Sequence, residues 1–86
     1  MAFFGLFKST EQRELESKVR FRQGRHRIQK FIQQLGKNSE QYYSLARQAY
    51  RLGDDGQFRQ MAGGYLQARE TINRWERYLL KLEALE

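Results

Sequence analysis

Leu52-Gly53-Asp54-Asp55-Gly56 interrupts an apolar pattern that otherwise runs unbroken on both sides. Gly53 can take the left-handed conformation that ends a helix without a Cβ penalty. Asp54 or Asp55 can accept from the first free N–H groups of a following helix, and Asp54-x-x-Gln57 has the spacing of a capping box. A helix that stops here and another that starts at once predict a helical hairpin.

Reading toward the N-terminus, Phe21, Ile28, Leu35, Tyr42 and Ala49 step by sevens, and Gly24, Phe31, Asn38, Leu45 and Leu52 follow three residues behind each. That is a heptad seam. Ser9-x-x-Gln12, or Thr10 with Glu11 in the first turn, supplies a start signal, so the first helix is expected over about residues 10–52, roughly 60 Å long. Reading toward the C-terminus, Phe58, Tyr65, Ile72 and Leu79 alternate with Met61, Ala68, Trp75 and Leu82, which predicts a second helix over about 55–86. Folded antiparallel about Gly53, Ala49 meets Phe58, Tyr42 meets Tyr65, Leu35 meets Ile72 and Ile28 meets Leu79; each pair of numbers has the same sum. The same register brings Gly24 near Leu82 and Asn38 near Ala68. The fold class is therefore all-α, a long antiparallel hairpin domain at 9–86.

Two features exceed what one hairpin needs. Gly36, Gly63 and Gly64 lie inside helices, where each costs about 1 kcal/mol relative to Ala, so close approach of another helix or a bend on assembly is one reading and a tolerated weak spot the other. Leu15, Val19, Ile32, Tyr43, Tyr50, Leu66, Tyr78, Leu80 and Leu85 fall off the seam, more apolar surface than two helices cover for each other. An 86-residue chain of this design is expected to complete its core by lateral packing into oligomers. The first helix also outruns the second by about ten residues, leaving 11–20 as a projecting arm.

The chain has no Pro to break a helix and no Cys for disulfides, thiolate metal sites or a thiol nucleophile. The net charge of +6 is lopsided: residues 1–37 hold nine Lys/Arg and three acids, residues 38–86 seven of each. Between Ser17 and Lys37 the charged residues are Lys18, Arg20, Arg22, Arg25, Arg27, Lys30 and Lys37, all basic. With the seam through Phe21, Ile28 and Leu35, positions 18, 22, 25, 30 and 37 are expected on the opposite side as a one-signed face, unlike a solvated face of mixed charge. His26 sits among arginines as a surface histidine, and no metal-ligand spacing or catalytic pairing is visible, so neither an enzyme nor a cofactor is expected.

The opening MAFFGLFK places Phe3, Phe4, Leu6 and Phe7 around Gly5, with Lys8 after them. As a short helix it carries an apolar arc, too short to span a bilayer and fit to enter one leaflet, or to pack on the hairpin or a neighbouring copy. Segment 1–8 is read as an amphipathic anchor. Each cation near an anionic leaflet is worth about 1 kcal/mol, so one copy binds marginally and an array of copies binds avidly.

Ala46-Arg47-Gln48-Ala49, the Gly53-Asp54 corner, Ala62 and Ala68-Arg69 resemble the first hairpin of the ESCRT-III proteins and their bacterial relatives, phage-shock protein A and the thylakoid vesicle-inducing protein. The opening peptide is similar to their N-terminal amphipathic helix. The resemblance implies a membrane-remodelling polymer, with Phe3, Phe4, Leu6 and Phe7 inserted and Lys18, Arg22, Arg25, Lys30 and Lys37 on head groups. Family members continue into further helices, and the resemblance here covers the opening peptide and hairpin alone, so no ATPase partner is indicated. The expectation is a cytoplasmic, peripheral protein that self-assembles on anionic membranes. The alternatives are a soluble scaffold forming a discrete oligomer and a non-specific nucleic-acid binder.

Overall fold

A computed structural model of the chain describes residues 9–85. Segment 1–8, with its expected anchor residues, lies outside them. The described residues form two helices, α1 (Thr10–Arg51) and α2 (Asp55–Ala84), packed as a hairpin.

The start of α1 and the two helix ends at the corner are set by local chemistry. Ser9 caps α1 with both halves of a capping box: the Gln12 N–H donates to Ser9 Oγ at 3.2 Å and the Ser9 N–H donates to Gln12 Oε1 at 3.3 Å. At the corner Gly53 has φ +72°. The Gly53 N–H donates to the Tyr50 carbonyl at 3.1 Å and the Asp54 N–H to the Ala49 carbonyl at 2.9 Å, the paired bonds of a Schellman ending. Asp54 Oδ1 then accepts from the Gln57 N–H at 3.1 Å and starts α2. Three residues thus reverse the chain with the end groups satisfied, which holds the two helices in one register.

That register is the expected one. Ring contacts join Phe31 to Trp75 (centroids 5.6 Å apart), Tyr43 to Tyr65 (5.6 Å) and Tyr50 to Phe58 (5.8 Å), all within one residue of the predicted pairing. The molecule measures 73 × 26 × 13 Å. Its smallest dimension is about one helix diameter, so side chains off the contact stripe face outward.

On α2 the inward stripe is the expected one, Met61, Tyr65, Ala68, Ile72, Trp75, Leu79 and Leu82, with Phe58 at its rim. On α1 one row is corrected. Phe21, Ile28, Leu35 and Ala49 face inward and Tyr42 lies at the margin, but the alternating row is Arg25, Ile32, Ser39 and Ala46; of the expected row Gly24 and Asn38 are half-buried beside it, while Phe31 and Leu45 lie exposed on the flank. Phe31 is 45% exposed, Leu45 47% and Leu52 still more. Both rows alternate with the same sevenfold repeat, and side-chain volume decides between them. Ser39 and Ala46 are small enough to lie directly between closely spaced axes, whereas Leu45 is displaced to the flank. Ser39 Oγ donates to the Gly36 carbonyl at 2.8 Å, so its burial leaves no orphaned hydroxyl.

The buried described residues are Ser39, Ala46, Ala49, Ala68 and Ile72. Four are small, so the hairpin gains close helix approach and little apolar volume. Gly64 has a specific use within it: a Cβ added there meets the Tyr42 ring at 2.7 Å. At Gly63, Gly36 and Gly24 an added Cβ meets nothing within 4 Å, so the expected Gly24–Leu82 close packing is not what holds that layer.

Neighbouring substitutions therefore diverge. Gly63→Ala gains helix propensity alone, about 1 kcal/mol, and raises the melting temperature by roughly 4–8 °C. Gly64→Ala gains the same propensity but must push the Tyr42 ring off α2, an overpacking cost of about 1–3 kcal/mol. Thermal melts followed by circular dichroism check this, and equal stabilisation by both substitutions contradicts it.

Candidate functional site

Helix length sets up the first feature. α1 has 42 residues and α2 has 30, and they are level at the corner. Leu85 lies beside Phe21 and Arg22, so residues 10–20 extend past the last described turn of α2. All of them are exposed except the half-buried Glu16.

The expected basic residues gather at this far end but do not form one face. Lys18, Arg22 and Arg25 line a notch with Ser17, Phe21 and Leu85 where α2 stops. Arg25 is half-buried and belongs to the inward row of α1, which corrects its expected place opposite the seam. The correction has the same cause as that of the seam: once Ile32, Ser39 and Ala46 turn inward, Arg25 and Lys18, spaced by sevens from them, turn with them. Lys30 and Lys37 are the pair that remains on the outer edge.

Arg27 occupies a flank. With Gly24 and Ile28 it lines a shallow groove completed by Arg74, Trp75 and Tyr78 of α2. Trp75 meets Phe31 edge-on and Tyr78 meets Trp75 edge-on at 5.8 Å, so three rings run across this flank, Phe31 and Tyr78 being exposed. Arg20 lies one heptad before Arg27, and Lys81 one heptad after Arg74, which puts both on the same side. The flank therefore presents four cations from two helices beside exposed aromatic rings. Arg74 and Tyr78 were not among the sequence-predicted site residues. The visible signal was their spacing from Trp75, one residue before and three after, but which flank they occupy depends on the corrected inward row of α1.

The second feature lies on the opposite flank near the corner. Tyr43, Ala46, Tyr50, Phe58, Ala62, Tyr65 and Leu66 line a groove of about 660 Å³ whose exposed atoms are almost all apolar. Arg47 and Arg51 edge it, and none of its lining residues is acidic. The Arg47 guanidinium stands 5.9 Å from the Tyr43 ring centroid, within cation–π range. The groove exists because Ala46 and Ala62 are small while Tyr43, Tyr50 and Leu66 stand up around them.

Among the described residues no group of three or more His, Cys, Asp or Glu could hold a metal ion, and no helix is long and apolar enough to cross a membrane. Comparison with protein families, curated proteins and solved structures finds no match.

Proposed function

We propose that this chain is a self-assembling helical hairpin that binds anionic membrane surfaces and, in arrays, remodels them. The observation that carries this reading is the far-end flank, where Arg27 and Arg74 line one groove with Trp75 and Tyr78. Cations recognise anionic head groups, and Trp and Tyr prefer the water–lipid boundary because their rings are apolar with one polar atom. Gly24 keeps α1 low beside these rings. The opening peptide, with Phe3, Phe4, Leu6 and Phe7, adds insertion in this reading, and Lys8 adds charge.

Self-assembly is supported by the thinness of the hairpin. Large apolar side chains such as Tyr50, Leu66, Leu80 and Leu15 stand exposed on a molecule with only five buried described residues. Many weak contacts in one array then hold what a single copy cannot.

Co-sedimentation separates this function from its rivals. The protein is expected to pellet with phosphatidylserine-containing vesicles, to ignore phosphatidylcholine vesicles, and to be released near 1 M NaCl, where the Debye length is about 3 Å. Equal binding to both vesicle types, or displacement from lipid by a small amount of duplex DNA, contradicts the reading. Electron microscopy of the vesicles is expected to show coats or tubules, and bare round vesicles contradict remodelling.

A further inference from the structure

The overhang of α1 and the corner groove are complementary, and they lie at opposite ends of the hairpin. On the overhang, Leu15 and Val19 are one turn apart and exposed. Glu11, Glu14 and Glu16 surround Leu15 and are all the acids of the first 37 residues, while Arg13, Lys18 and Arg20 share the overhang and balance them in number. The groove offers an apolar floor to Leu15 and Val19, and its edge of Arg47 and Arg51 with no acid offers partners to the acids beside them. Every copy carries one of each. The separation along a rod 73 Å long prevents a chain from filling its own groove with its own overhang.

We infer that the overhang of one copy docks in the corner groove of the next, Leu15 and Val19 seating among Tyr43, Tyr50, Phe58 and Leu66, with Glu11 and Glu14 facing Arg47 and Arg51. The inference rests on the self-assembly part of the proposed function and specifies its contact. Such a contact is heterologous: each copy offers two different surfaces, so the chain of contacts closes into a ring or continues as an open filament rather than stopping at a dimer. It also gives the exposed overhang a partner helix pair, the environment that the rest of α1 already has. Two copies related by a twofold axis, groove against groove, are a poorer match, because that arrangement sets Arg47 and Arg51 of both copies together.

Two variants and their mixture test the contact in solution, without lipid. Leu15→Asp spoils the overhang and leaves the groove intact; Leu66→Asp does the reverse. Both positions are exposed, so each variant is expected to keep its helical circular dichroism spectrum. In analytical ultracentrifugation the wild type is expected to form multimers that grow with concentration, and each variant alone is expected to stay monomeric. An equimolar mixture restores one productive contact, from the overhang of the Leu66→Asp copy to the groove of the Leu15→Asp copy. It is therefore expected to give heterodimers and nothing larger.

Leu15→Asp multimers as large as those of the wild type, or a mixture that stays monomeric, overturn the docking inference while leaving assembly itself standing. Wild-type protein that remains monomeric at every concentration overturns both the docking and the self-assembly reading.

Discussion

Ile72→Ala is expected to unfold most of the isolated hairpin. Ile72 is 2% exposed and is the one large apolar side chain among the buried described residues. It sits at mid-length on α2, level with Leu35 in the register, and its buried neighbours along the seam are small. Truncating a buried Ile costs about 2–5 kcal/mol, because transfer energy is lost and the cavity left behind collapses only partly. A single core in a chain of this size rarely supplies more than about 3–5 kcal/mol, so the loss is comparable to the whole stability of a monomer. Far-UV circular dichroism at low concentration checks this. Helical signal and melting temperature are expected to fall sharply for Ile72→Ala, and to stay within about 0.5 kcal/mol of wild type for Leu66→Ala, whose side chain is 66% exposed. If the two variants melt together, the core does not rest on Ile72.

The second large effect belongs to the membrane reading. Arg27→Glu combined with Arg74→Glu removes two attractions of about 1 kcal/mol each and adds two repulsions of similar size. The sum of about 4 kcal/mol corresponds to nearly a thousandfold loss of affinity for phosphatidylserine vesicles. Lys37→Glu combined with Arg77→Glu makes the same change in net charge at exposed positions away from the aromatic flank, and is expected to cost much less. Vesicle titrations compare the pairs. Equal losses would mean that binding follows net charge alone and that the Arg27–Arg74 flank is not the contact side.

Much of the fold is legible in the residues, for local reasons. Gly53, Asp54 and Gln57 specify the reversal through backbone conformation and capping, and Ser9 with Gln12 specifies the start of α1. These are short-range interactions that act before any packing. The α2 stripe is legible because Tyr65, Ile72, Trp75 and Leu79 leave only one continuous apolar face. The second α1 row was not legible, because Phe31 and Leu45 are larger than Ser39 and Ala46, and hydrophobicity alone favours the larger residues at the seam. Which row turns inward depends on how closely α2 approaches, and that distance is absent from a one-dimensional pattern.

The candidate site divides in the same way. The excess of positive charge between Lys18 and Lys37 is a property of composition. Its distribution among notch, flank and outer edge depends on the roll of α1 about its axis, which the corrected row sets. Gly64 is a clear instance: the sequence shows a costly helical glycine, and only the position of the Tyr42 ring shows what it accommodates.

By itself, then, the sequence determined the two helices, the start of α1, the corner between them and their pairing register, because capping, turn conformation and the heptad spacing on each side of Gly53 suffice for these. The tertiary structure decided which side of α1 faces α2, and with it that Arg27 and Arg74 share a flank with Trp75 and Tyr78 while Tyr43, Tyr50, Phe58 and Leu66 enclose an apolar groove. A helix presents every side to its surroundings, and only the volume available between two packed axes selects the side that is buried.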